Sequence, residues 1–122
     1  MPFQSGIRAA LALAYKQKGD YSRAITEYTI LIHSNPDNAA LHNNLGTVYY
    51  RKGNYDLAIE EYKKAIQLDE QLTAAYGNLG LIYLKKGNVE DAVFFLRKVF
   101  QSEDDMLKYI LLFYKPYQEK TG

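Results

Sequence analysis

Residues 41–62 read LHNNLGTVYYRKGNYDLAIEEY. Apolar residues fall three or four apart on both sides of Gly53-Asn54, the spacing of two amphipathic helices joined by a tight turn. Leu41, Leu45, Val48 and Tyr49 make the stripe of the first helix, and Leu57, Ala58, Ile59, Tyr62, Ala65, Ile66 and Leu68 that of the second. Gly53 suits the left-handed residue that closes a helix, and the Asn54 side chain suits the N-cap of the next. The arrangement recurs 34 residues away on either side: Gly19, Gly53 and Gly87; Leu11, Leu45 and Leu79; Tyr15, Tyr49 and Tyr83; Ala24, Ala58 and Ala92. Asp20 and Asn88 stand where Asn54 stands. A fixed period of this length means one helix-turn-helix unit used repeatedly, each copy burying the apolar face its neighbour leaves open. The fold class expected is an all-α solenoid.

The residues that carry the period resemble the tetratricopeptide repeat family, whose pattern is a large residue, Leu-Gly, Tyr, Ala, an aromatic, Ala and Pro at set offsets. Copy one gives Arg8, Leu11-Ala12, Tyr15, Ala24, Tyr28, Leu31 and Pro36; copy two gives His42, Leu45-Gly46, Tyr49, Ala58, Tyr62, Ala65 and Glu70. Copy three gives Tyr76, Leu79-Gly80, Tyr83, Ala92, Leu96, Val99 and Asp104. The match runs over residues 5–106 without insertion, and it departs at Arg8 and Ala12 and at the prolines replaced by Glu70 and Asp104. It implies a right-handed stack of three repeats, 5–38, 39–72 and 73–106, within one domain spanning 1–122. It also implies a non-enzymatic protein-interaction module, a scaffold or adaptor that binds a peptide segment of a partner in a concave groove. Small residues at Ala12, Gly46 and Gly80 fit close helix packing, which must offset the roughly 1 kcal/mol that a helix-interior glycine costs against alanine.

Composition sets limits. A net charge of +1 argues against nucleic-acid binding by phosphate neutralisation, which wants a strongly basic surface. Without cysteine there is no disulfide framework, thiol nucleophile or Cys-based zinc site. No apolar run approaches the roughly 18 residues of a spanning helix. Arg8–Ala14 could pass for a short signal-peptide core, but it lies in register with the first helix of the other copies, so a cytoplasmic protein is expected. No cofactor motif stands out, because Gly77-Asn-Leu-Gly80 sits mid-helix in register and reads as packing. His33 and His42 lack a carboxylate nearby in sequence and make no convincing metal site. His42 reads as a partly buried structural residue, and Glu60-Glu61 as acids with no partner chemistry.

The family resemblance places the first helix of each pair on the concave side. Its facing positions are Gly6, Ala9, Ala10, Leu13, Lys16 and Gln17, then Ala40, Asn43, Asn44, Thr47, Tyr50 and Arg51, then Ala74, Gly77, Asn78, Leu81, Leu84 and Lys85. Asn44 and Asn78, one period apart, offer amides to a peptide backbone, and Tyr50 is a candidate aromatic anchor. Lys16, Lys18, Arg51, Lys52, Lys85 and Lys86 form a basic edge, although cations in the last turn also offset the helix dipole. Chaperone-tail binders of the family clamp a terminal carboxylate with Lys and Asn, then Asn, then Lys and Arg. The corresponding residues here are Ala9 and Leu13, Asn44, and Ala74 and Asn78, so only one asparagine of that clamp is kept.

Two segments stand apart. Asp69-Glu70-Gln71-Leu72-Thr73 has neither Pro nor Gly, which leaves room for the preceding helix to run on and open the molecule to exchange. Ser102 reads as the N-cap of a last helix, about 104–115, stopped by Lys115-Pro116 and followed by a frayed tail over 116–122. Its Tyr109, Ile110, Leu111, Leu112, Phe113 and Tyr114 are apolar all round, more than one packing face can cover. A homodimer through this helix, or a fragment of a longer repeat protein, is the alternative to the peptide-groove module.

Overall fold

The computed structural model describes residues 2–114, with side chains from Gln4 onward; the expected tail at 116–122 and the Lys115-Pro116 stop lie outside the described residues. Seven helices follow one another: α1 (Pro2–Lys18), α2 (Tyr21–Ser34), α3 (Ala39–Lys52), α4 (Tyr55–Leu68), α5 (Thr73–Lys85), α6 (Val89–Leu96) and α7 (Glu103–Phe113). Arg8–Ala14 is interior to α1. The packing divides into one compact unit ending at Leu72 and a second beginning at Thr73, a division that falls on the boundary between the second and third repeats.

Each helix pair is hinged the same way. Gly19, Gly53 and Gly87 hold φ of 87°, 89° and 79°, the left-handed region that a side chain makes costly. The N–H groups of Asp20, Asn54 and Asn88 then reach back to the carbonyls of Tyr15, Tyr49 and Tyr83 at 2.9, 2.8 and 2.8 Å. The same three residues turn their side chains forward and accept from the N–H of Arg23, Leu57 and Asp91, each at 3.3 Å. One residue thus closes a helix with its backbone and opens the next with its side chain. Between repeats, Asn38 caps α3 by accepting from Leu41 N–H.

In the first unit, α1 packs on α2, α2 on α3 and α3 on α4. Ala12, Ala24, Tyr28, Leu31, Leu41, Leu45 and Val48 form one core, and Ala58, Ile59, Tyr62 and Ala65 are buried along α4. Leu57 and Leu68, assigned to the α4 stripe, are exposed instead, because they lie to the sides of the Ala58–Tyr62–Ala65 line. Leu11 also departs from its register: it is 43% exposed where Leu45 is 5% and Leu79 is 0%. Leu45 has α2 against it, whereas that flank of α1 faces solvent.

In the second unit, α5 packs on α6 and on α7, and Leu84, Ala92, Leu96 and Met106 form the core beside buried Ala75, Leu79 and Ile82. α6 has 8 residues against 14 in α2 and in α4. Its end tightens through Lys98 N–H to Phe95 O and Val99 N–H to Leu96 O, three-residue bonds that consume the last turn. Ser102 then starts α7 by accepting from Asp105 N–H, with Glu103, Asp104 and Asp105 on the positive end of the helix dipole. The open turn at 69–73 is also settled. α4 stops at Leu68, and Asp69 builds the turn alone, its side chain accepting from Gln71 N–H at 3.0 Å and its carbonyl from Leu72 N–H at 3.2 Å. An aspartate side chain that mimics a backbone turn replaces the missing proline.

A methyl group added at Gly46 would sit 2.7 Å from the Tyr62 ring, and one at Gly80 would collide with Leu96. Gly46→Ala is therefore expected to lower the unfolding free energy by roughly 1–3 kcal/mol through overpacking, despite alanine's higher helix propensity. Gly6, with nothing within 4 Å of the added carbon, gives the control: Gly6→Ala should stabilise by up to about 1 kcal/mol. Urea unfolding of the two variants measures both signs.

Candidate functional site

The candidate site is built from the first-helix faces. In α1, Leu13 and Gln17 are exposed and Lys16 is half-buried; in α3, Asn43, Asn44, Thr47 and Tyr50 are half-buried and Arg51 is exposed. These residues recur at three- and four-residue steps, so each set lies along one side of its helix. Within the first unit the C-terminal ends of the two sets are near enough for their charges to interact. Burial, and then the Arg51 charge, hold the Lys16 pKa below its ordinary value. The hinge glycines fix where α1 and α3 end, and so put both cations at helix C-termini, where they face the negative end of each dipole.

Not every residue assigned to the groove is a surface residue. Thr47 is committed to the interior: its hydroxyl donates to Asn43 O at 3.2 Å, which leaves the Tyr62 hydroxyl as donor across the 2.9 Å contact with Thr47. Tyr50 stacks on Tyr55 of α4, with centroids 5.5 Å apart and planes 16° from parallel, so it offers one face and an edge rather than a free ring. In the second unit Asn78 and Leu81 are half-buried and Lys85 is exposed along α5. Leu84 is fully buried in the core with Met106, because α7 packs over the end of α5; it is withdrawn from the groove.

A set of contacts not anticipated from the sequence holds the helix pairs together. Arg8 donates to Glu27 at 2.7 Å, and His42 Nδ1 meets Glu61 at 3.0 Å, while Tyr76 packs on Phe95 with centroids 6.4 Å apart. Arg8, His42 and Tyr76 are 34 apart, and so are Glu27, Glu61 and Phe95. One position pair is therefore an ion pair, a histidine–carboxylate bond and an aromatic contact in successive copies. Glu61 is corrected accordingly: its partners are His42 and Lys64. His42 engages both ring nitrogens, the second on Pro36 O at 3.2 Å, and ties the loop between repeats to α3. The 34-residue spacing of the acids was the available signal. Among the described residues no group of three or more His, Asp or Glu could hold a metal ion, and no helix is long and apolar enough to cross a membrane.

Family models described as tetratricopeptide repeat match residues 9–72 and 49–108. The chain belongs to the tetratricopeptide repeat family. Such repeats act generally as non-enzymatic protein-interaction modules that take protein or peptide partners. No curated protein matches the chain. Among solved structures, it is similar to MamA with a TM-score of 0.75 and 30% identity over 86% of this chain. It spans 61% of that MamA chain. It is also similar to the first repeat domain of Spaghetti (RPAP3), bound to the HSP90 peptide SRMEEVD, with a TM-score of 0.79, 23% identity and coverage of 88% and 93%. The TPR2B domain of yeast Sti1, in a pHsp70 complex, gives 0.78 at 19% identity with coverage of 92% and 94%. At those identities the last two share the fold alone.

Tyr62 links the core to this site and carries a pH signature. Burial, the largest effect, pushes its pKa up to about 12, against about 10 for an unfolded tyrosine. A proton held more tightly in the fold contributes stability that is complete below pH ~10 and is lost as pH rises towards 12. Tyr28 and Tyr49 shift in the same direction, each chiefly through burial. Tyr62→Phe should cost about 1 kcal/mol at neutral pH through the lost hydrogen bond. Above pH 10 the variant should lose less stability than the wild type, by roughly 2–3 kcal/mol across the window. Denaturant unfolding from pH 7 to 12 measures the crossover.

Proposed function

We propose that the chain is an interaction module that holds an acidic segment of a partner protein against α1 and α3 of its first unit. The observation that carries this reading is the basic end of the site in the first unit: Lys16 and Lys18 in the last turn of α1, and Arg51 and Lys52 in that of α3. Burial, and after it the Arg51 charge, lower the Lys16 pKa, and an anion placed near both cations offsets that repulsion. A carboxylate side chain supplies that charge, and bidentate pairing with Arg51 supplies direction. Asn44, half-buried one turn before Thr47, offers an amide to the backbone of the bound segment. Leu13, exposed on α1, gives an apolar contact beside the charges. In the second unit, α5 repeats the polar pattern with Asn78 and Lys85.

The SRMEEVD peptide held by Spaghetti is acidic, which supports an acidic ligand class for this fold. The mode proposed here differs from a terminal-carboxylate clamp, because Ala9, Ala74 and Asn78 bring no charge to the three positions where such a clamp has its cations. An internal acidic segment is therefore an equally good ligand.

Fluorescence anisotropy with a small set of acidic and neutral peptides, each with a free or an amidated C-terminus, tests this. Acidic peptides should bind with an affinity that falls as salt rises, and amidation should change it less than threefold. The Lys16→Ala, Arg51→Ala double variant should lose about tenfold or more, a difference of roughly 1.4 kcal/mol, with its thermal unfolding little changed. Asn44→Ala should cost about 1 kcal/mol of binding. Neutral and acidic peptides binding alike, or a double variant that binds as well as wild type, would overturn the assignment.

A further inference from the structure

Among the described residues, one stretch of α1 and one of α7 each expose neighbouring large apolar side chains and lead to a charged end. On α1, Ile7 is 50% and Leu11 43% exposed; with Gln4, Arg8 and Glu27 they line a shallow hollow of about 270 Å³. Continued along the helix at steps of three and four, this line passes Ala14 and Tyr15 and reaches Lys18. On α7, Met106, Tyr109 and Ile110 pack inward, while Leu107, Leu111 and Leu112 stand 49%, 82% and 75% exposed. Leu107, Leu111 and Tyr114 form a stripe at steps of four and three that continues backwards to Glu103 and Asp104.

The first unit shows what shape covers the α1 surface. Ile7 and Leu11 are 34 residues before Leu41 and Leu45, which are buried by α2 through Tyr28 and Leu31, with Ile25 and Ile32 beside them. α2 runs antiparallel to α3, because only the short loop at 35–38 joins them. A helix seated in the same way on α1 would run antiparallel to it and present an apolar stripe about two turns long. α7 has that stripe. Aligned antiparallel, Leu111 meets Ile7, Leu107 meets Leu11, and Tyr114 lies beside Gln4. Glu103 and Asp104 then fall beside Ala14 and Tyr15, within one turn of Lys18. The charges agree with the direction: α7 has Glu103, Asp104 and Asp105 in its first turn, and α1 has Lys16 and Lys18 in its last. The parallel arrangement would set the acids beside Gln4 and lose the pairing.

We propose that α7 of one copy docks antiparallel on the Ile7–Leu11 surface of α1 in a second copy, so that the chain associates head to tail. The contact is heterologous, with different surfaces on the two partners, and it sets this mode apart from a two-fold dimer built on α7 alone. Both halves of a complementary surface lie on one chain, in matching register and with matching charge.

Sedimentation velocity across a concentration series of the 122-residue chain, with two surface variants, decides the matter. Wild type should associate with rising concentration. Leu11→Glu and Leu111→Glu, each confirmed as folded by circular dichroism, should each be monomeric. An equimolar mixture of the two variants should form a one-to-one heterodimer and nothing larger, because one intact surface of each kind remains. A wild type that stays monomeric overturns the proposal. So does association that survives Leu11→Glu but not Leu111→Glu, the signature of an α7–α7 dimer, and so does a mixture that fails to pair. Should Leu11→Glu not fold, Lys18→Glu replaces it: that charge reversal should weaken association at least tenfold at low salt. The Lys18→Glu, Glu103→Lys double variant should restore it, and failure of that rescue overturns the charge register.

Discussion

The two helices of a repeat approach only as closely as the residue at one position allows. That position is Ala12 in the first copy, Gly46 in the second and Gly80 in the third, and the residue pressed toward it from the second helix is Tyr28, Tyr62 or Leu96. All six are buried. The larger members fill the space that the smaller ones leave, so the distance between helix axes is set by a side chain that is almost absent. Helix-interior glycine costs about 1 kcal/mol in propensity, and burial of a large side chain returns roughly 1.5–3 kcal/mol, so the trade favours the close pair. Tyr62 adds a constraint through its hydroxyl, which must find Thr47 because a buried phenol without a partner costs about as much as the bond is worth. That need turns the Thr47 hydroxyl inward, while the residue stays half-buried at its register position.

Around this interlock the second contact between paired helices is free to change its chemistry. Arg8–Glu27, His42–Glu61 and Tyr76–Phe95 occupy equivalent places, and each joins the two helices of its repeat by a different chemistry. The Arg8 side chain is 39% exposed and keeps water around its charge, while that of His42 is only 10% exposed and bonds through both nitrogens. In the third copy the pair is aromatic, and Phe95 also stacks on Tyr83 at 5.7 Å. A buried polar group without a full set of partners is costly, and the buried His42 meets that demand by bonding through both ring nitrogens. The geometry of the repeat asks for size and reach at this position and leaves the polarity of the pair open.

This division explains what was legible in the sequence. The hinges were, because a left-handed glycine followed by a capping Asp or Asn acts within five residues and needs no distant neighbour. The small-to-large interlock was, because it recurs at a fixed period. Partner identity was harder: His42 and Glu61 are 19 residues apart on different helices, and only the parallel spacing of Glu27 and Glu61 pointed to the pair. Exposure was hardest. Leu11 and Leu45 are the same residue at the same register position, yet one faces solvent and the other is buried, because burial depends on which helix lies opposite. Leu84 fails in the reverse sense: its register makes it a surface residue, and α7, which begins four residues ahead of the period, covers it.

The same argument separates the residues that hold the fold from those left to act. Packing and hinge positions repeat with little freedom, since a methyl group at Gly46 or a side chain at the left-handed Gly53 would be resisted at once. Positions on the outer side of the first helices bear less of that demand, and there the copies diverge: Leu13, Thr47 and Leu81 at one register, where Thr47 alone is tied to a core tyrosine, and Gln17, Arg51 and Lys85 at another. Asn44 and Asn78 are kept at a third register, where mid-helix asparagine gains nothing for the helix itself. Both residues are half-buried, so part of each side chain's freedom is already restricted within the fold. A polar group that is already ordered loses little entropy on binding, and that makes a repeated half-buried asparagine more useful to a peptide backbone than a freely solvated one.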